Sequence, residues 1–145
     1  MVKVLFDTSV LIAAFVASHP KHQSCFICLK KVKDKAIEGI IGTHALAEIH
    51  SVLTRLPITP GISPNLAKRL IKENLAEMVV ISLNDKDYLE VIELLVNLNL
   101  TGGSIYNALI VQAAIKSSAD KIVTLNPNHF KRLGNEISAK VEIPD

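Results

Sequence analysis

Short runs of β-branched and aliphatic residues alternate with stretches of helical spacing along the whole chain. When a helix follows each strand, the chain returns to the same end of the sheet before the next strand begins, so neighbouring strands run parallel. Five runs qualify as strands: residues 2–6, 39–41, 78–82, 121–125 and 136–143. The middle three are short apolar runs, the pattern expected of strands buried on both faces. Helices are predicted over residues 9–17, 21–34, 44–55, 64–74, 86–97 and 105–117, with a short turn near 128–133. The fold class predicted is α/β, with a mainly parallel five-stranded sheet between two layers of helices. Thr43 is placed to cap the third helix, and Ser63-Pro64 sets a capping hydroxyl before a proline at the first helical position. Residues 56–64 carry three prolines and a glycine, so they form a loop long enough to act as a flap.

A chain of 145 residues predicts one compact domain spanning residues 1–145, able to bury roughly 70% of its unfolded surface. Hydrophobic residues at 49% and charged residues at 21% lie far from the composition of disordered chains. A net charge of +2 is too small for a general nucleic-acid coat protein. Aromatic residues at 4%, with no Trp, disfavour the stacking platforms of dedicated single-strand binders. The start of the chain, with Asp7 breaking its apolar run, opens neither a signal peptide nor a membrane span, and the expected location is the cytoplasm. Cys25 and Cys28 form a single Cys-x-x-Cys that needs His19, His22 or His44 to complete a zinc site, and helix packing is the simpler expectation. Lys30-Lys31-Lys33-Lys35, Lys68-Arg69-Lys72 and Lys131-Arg132 read as solvated helix faces.

Four positions carry potential chemistry, and each also has a structural reading. Asp7 ends the first strand, where open α/β sheets place ligands, and it could equally cap the next helix. Glu48 shares a helix face with Ala45, Ile49, Val52 and Leu56. An acid there needs a partner, either a cation or Arg55, to stay ionised. Asn107 follows Gly102-Gly103-Ser104 and lies where Ser104-x-x-Asn107 would form a capping box. Asn126 ends the fourth strand before Pro127, as a turn former would. In a right-handed parallel sheet these strand ends share one edge, so Asp7, Asn126 and the nearby helix starts converge.

The order Phe6-Asp7-Thr8-Ser9, then Ala47-Glu48-Ile49, then Gly102 to Ile110, then Ala119 to Asn126 resembles the PIN-domain family, and more narrowly its VapC-type toxin ribonucleases. The resemblance spans essentially the whole chain. It implies a metal-dependent endoribonuclease holding Mg2+ or Mn2+, with Asp7 as the bridging carboxylate and Glu48 as a second ligand. The third acidic position falls on Asn107 and the fourth on Asn126, with Thr124 as the accompanying hydroxyl. Two positions therefore carry an amide, which offers one neutral carbonyl where magnesium favours charged oxygen. No Asp or Glu lies between Glu93 and Asp120 to make up the loss. Asp120 stands about 15 Å from the carboxyl edge at ~3.3 Å per strand residue, which makes its role structural. Ser104 departs as well, since relatives often carry a basic residue there. The expectation is a single weakly held ion completed by substrate oxygens, with a catalytically impaired binding module for RNA or a protein as the alternative. The resemblance further implies an RNA substrate, a cognate antitoxin and a homodimer. The apolar helices at the start of the chain and around Leu66, Leu70 and Ile71 are candidate interface faces, and core packing accounts for them about as well.

Overall fold

The computed structural model describes residues 1–145 as thirteen elements. In chain order they are β1 (Lys3–Phe6), α1 (Thr8–Phe15), α2 (His22–Lys33), β2 (Glu38–Gly42), α3 (Thr43–Arg55), α4 (Pro64–Asn74) and β3 (Val79–Ile81). There follow α5 (Asp85–Leu98), α6 (Ser104–Ser117), β4 (Lys121–Val123), α7 (Asn128–Lys131), α8 (Asn135–Ser138) and β5 (Val141–Glu142). The strands form one sheet in the order β3-β2-β1-β4-β5, and every pair is parallel.

Alternation along each central strand builds the three layers. Val4 and Phe6 of β1, Ile41 of β2 and Val123 of β4 pack with α1, α2 and α3 on one face. Leu5, Ile40 and Ile122, each one residue out of phase, pack with α5, α6 and Phe130 on the other. A period of two along the backbone sends successive side chains to opposite faces, so both layers are specified by one strand register. In β2 the register also requires a glycine: a Cβ on Gly39 would collide with Met78 Sδ and Val32, so the backbone can approach α2 closely only without one.

Four local expectations are corrected. The run 78–82 is not buried on both faces: Val79 and Val80 are 39% and 42% exposed, because β3 is an edge strand. The predicted strand 136–143 is mostly helical, with only Val141–Glu142 pairing to β4. Gly134, at φ 122°, turns the chain so that Ile137 enters the core beside Phe130 and Leu133, and that burial outweighs the alternating pattern. Thr43 is not an N-cap; Gly42 holds that position, and Thr43 Oγ1 instead accepts the Leu83 N–H at 3.1 Å, tying α3 to the segment after β3. Ser104 is not one either: Gly103 precedes α6 without a side-chain cap, so Ser104 and Asn107 form no capping box. Asn84 and Asp87 form the reciprocal box, at the start of α5. Ser63 caps α4 as its sequence predicts, accepting the Leu66 N–H. Asp120 accepts the Lys3 N–H at 2.8 Å, a structural tie at the far end of the sheet from the site.

Candidate active site

From β1 at its centre the sheet grows through β2 and β3 on one side and through β4 and β5 on the other. The helices leaving β1 and β4 therefore diverge, and a crevice opens at the carboxyl ends of those two strands. Asp7 directly follows β1, and its backbone N–H donates to Val123 O at the end of β4 at 3.0 Å. Thr124, fully buried, is the next residue along.

Asp7 occupies the N-cap position of α1, yet its side chain caps nothing. Its Oδ2 accepts two hydroxyl hydrogen bonds, from Ser9 and from Thr124, both at 2.7 Å. The hydroxyls are themselves fixed: Ser9 Oγ accepts the Leu125 N–H at 3.1 Å, and Thr124 Oγ1 accepts the Asn126 N–H at 3.0 Å. No protein donor reaches Oδ1. One carboxylate oxygen is thus spent on orientation and the other is left for chemistry. Charge-assisted bonds of this kind are the stronger ones, which makes Asp7 a rigid fixture.

Glu48 is the second acid of the crevice. It projects from α3, whose Ala45, Ile49 and Leu53 are buried, and it is half-buried itself. Its Oε2 is buried without a hydrogen-bond partner. Burial, then the negative charge of Asp7, push its pKa up; the Thr8 hydroxyl and Arg55 pull the other way. Arg55 forms no ion pair with it, and Thr8 Oγ1 makes no hydrogen bond. The partner that the sequence offered from within the protein, Arg55, is therefore not realised as an ion pair, which leaves a cation as the partner that would keep Glu48 ionised.

Asp7, Glu48, Asn107 and Asn126 line one cleft of about 660 Å3, together with Ser9, His19, Lys21 and His129 and an apolar side that includes Ile12 and Val52. Asn107 enters from the first turn of α6. Asn126 also serves the turn into α7, its carbonyl accepting the His129 N–H at 3.1 Å. Thr124 stands behind Asp7 and does not itself line the cleft. Nowhere do three or more His, Cys, Asp or Glu side chains gather as a metal cluster. Cys25 and Cys28 are free thiols, Cys25 fully buried, and His22 spends Nδ1 on the Ala13 carbonyl at 2.9 Å, so the zinc alternative has no geometry behind it. Two carboxylates, one with an orphaned oxygen, and two amide carbonyls do match the all-oxygen donor set of a hard divalent cation, at lower charge than a three-acid site.

Ser9, His19, Lys21 and His129 are polar cleft residues without a role in this site at the level of sequence, where His19 is a candidate zinc ligand alone. The spacing Asp7-x-Ser9 carries the Ser9 signal, since a hydroxyl two residues past a strand-end acid can turn back onto it.

The PIN domain family model matches residues 3–128. The chain belongs to the PIN-domain family. Ribonuclease VapC27 of Mycobacterium tuberculosis is 35% identical over 114 residues, covering 79% of this chain and 78% of that protein. Ribonuclease VapC40 of the same species is 31% identical over 119 residues, covering 81% and 82%. Among solved structures, the chain resembles VapBC2 from Rickettsia felis, crystallised with a DNA fragment from its promoter, with TM-score 0.70 and 22% identity over 99% of both chains. It also resembles the Sarcin-Ricin loop cleaving toxin VapC20 of Mycobacterium tuberculosis, with TM-score 0.65 and 17% identity over 82% of this chain and 86% of that one. At those identities the structural likeness shows the PIN fold, with its parallel five-stranded sheet between helical layers.

Proposed function

We propose that this PIN-domain protein is a divalent-metal-dependent endoribonuclease, the toxin of a toxin–antitoxin pair, that hydrolyses RNA phosphodiesters at the Asp7–Glu48 cleft in the cytoplasm. The observation that carries the reading is the pairing of a locked carboxylate, Asp7, with a half-buried one, Glu48, whose Oε2 has no partner, at the topological switch point. Such a pair stores unfavourable electrostatics that a cation relieves. Asp7, Glu48 and the Asn107 carbonyl would hold Mg2+ or Mn2+, which supplies charge neutralisation on the phosphate and acidifies a water. The chain's own contribution is orientation. Ser9 and Thr124 hold Asp7 in a single rotamer, Asn126 fixes Thr124 through its backbone N–H, and Ile12 and Val52 wall off part of the cleft from solvent.

With two acids in place of three or four, metal affinity is reduced, and a single ion completed by substrate oxygens fits better than two tight ones. Relatives that bear the name ribonuclease support an enzyme over a binding module that has lost its activity. The antitoxin partner is supported by the VapBC complex among the fold's neighbours. Self-association to a homodimer is supported by an unpartnered apolar stripe on α5: Leu89, Ile92 and Val96 are 64%, 46% and 66% exposed. Of the faces that the sequence offered, α1 is covered by the core, while Phe26 and Ile27 of α2 and Leu66 of α4 stay 42%, 46% and 37% exposed. Single-stranded RNA incubated with the protein and Mn2+, beside an Asp7→Asn variant, tests the reading. Cleavage that needs metal and falls at least 100-fold in the variant supports it. Equal cutting by both proteins, or none by either, rejects it.

A further inference from the structure

A cleft walled by two carboxylates repels a phosphodiester chain, which carries a negative charge at every nucleotide. The positive charge and the hydrogen-bond donors available in the same cavity come from the connection after α1 and from α7: Lys21, with His19 and His129. Of these, His19 has a defined orientation. It is half-buried, and its Nδ1 accepts the Lys21 backbone N–H at 3.0 Å. A neutral imidazole carries one proton, so with Nδ1 acting as acceptor the proton lies on Nε2, which becomes a donor. Within the protein the His19 side chain makes that one hydrogen bond and Nε2 has no acceptor. His22, three residues on, is set differently, with Nδ1 against the Ala13 carbonyl and its ring beside Phe26.

We propose that His19 is an RNA-binding residue whose Nε2–H donates to a non-bridging phosphate oxygen of the strand in the cleft, with Lys21 adding positive charge along the same backbone. This rests on the nuclease reading and assigns the phosphate-holding side of that site. It also explains how the cleft holds a phosphate although Ser104 offers no charge. A hydrogen bond to a charged oxygen contributes enough that losing it costs roughly tenfold in affinity.

Two conservative variants separate this role from a merely structural turn. In His19→Asn the side-chain oxygen can still accept the Lys21 N–H, as Asn does in Asx-turns, but the distant donor is gone. In His19→Gln the amide reaches the position of Nε2 and the local acceptor is lost. Steady-state cleavage of a single-stranded RNA in Mn2+ is measured for both, with thermal midpoints, and binding of the same RNA is measured in an Asp7→Asn background. The expected result is a roughly tenfold rise in KM for His19→Asn with kcat within twofold and an unchanged midpoint, and a smaller rise for His19→Gln. Lys21→Gln should reduce the slope of log affinity against log salt by about 0.7. Wild-type binding by His19→Asn, or a greater loss in His19→Gln, overturns the proposal. If the wild-type protein binds RNA but does not cut it, the nuclease reading fails, while the Asn and Gln comparison in binding still decides the role of His19.

Discussion

Asp7 stands where a helix cap would stand and caps nothing, and the reason lies in Ser9 and Thr124, whose hydroxyls take its Oδ2 for themselves. Replacing Thr124 by Val keeps the shape and removes one of those bonds, so Thr124→Val should lower RNA cleavage about tenfold through a looser Asp7, measured as kcat at saturating Mn2+. Glu48 has the opposite character: its Oε2 is buried without a hydrogen-bond partner. Glu48→Gln should abolish cleavage and yet raise Tm by a few degrees, because a buried charge facing Asp7 disappears. Since folding raises the Glu48 pKa, its favourable contribution is present below the ordinary glutamate value and is lost as pH rises through the folded value, so the gain from Gln should be larger at pH 7 than at pH 4. Asn107→Asp should tighten Mn2+ binding about tenfold if its carbonyl is a ligand, and calorimetric titration reads that directly. Asp7 and Glu48 were legible because a strand-end acid and an acid on an apolar helix face both contradict local expectation. His19 was not, because its proximity to the cleft depends on how residues 16–21 turn after α1, and no periodic pattern encodes that.

At the scale of elements, the α5–α6 contact is held by a polar staple. Asp87 closes the capping box with Asn84 and also accepts from Gln112 Nε2 at 3.1 Å and Lys116 Nζ at 2.7 Å, while Lys116 reaches the Ser82 carbonyl at 2.7 Å. Lys116 first, then the backbone N–H of Asn84, hold the Asp87 carboxyl down to about 2. Its contribution is therefore present above the ordinary aspartate range and is lost as pH falls toward 2. Asp87→Ala should lower Tm by several degrees at pH 7 and by much less at pH 2.5, without changing cleavage per folded molecule. The helices and the three central strands were readable from periodicity, and Ser63-Pro64 from cap chemistry. The C-terminal segment was not, since alternation at 136–143 looks like a strand until Gly134 swings Ile137 into the core. For β3 the apolar run was visible, and its place at the sheet edge was a matter of topology that composition does not carry.

Across the whole molecule, one topological fact organises the rest: β1 lies at the centre, the chain winds outward to both sides, and the crevice beside it collects residues from positions 7, 48, 107 and 126. No helix is long and apolar enough to cross a membrane. The same crowding around α3 leaves a cost nearby. His44 has both ring nitrogens buried without partners, and burial drives its pKa down to about 4. Its neutral form is stable in the fold above the ordinary histidine value, and that stability is lost as pH falls through 6.5 toward 4. His44→Leu should therefore resist urea better than the parent, by about 1 kcal/mol at pH 8 and by more at pH 5.

The central claim is that Asp7 and Glu48, brought together from distant parts of the chain, hold one divalent cation between them. Calorimetric titration of the wild-type protein with Mn2+, beside Asp7→Asn and Glu48→Gln, tests it most directly. The account predicts one weak site per chain, lost in both variants with the fold intact; undiminished Mn2+ binding in either variant would contradict it.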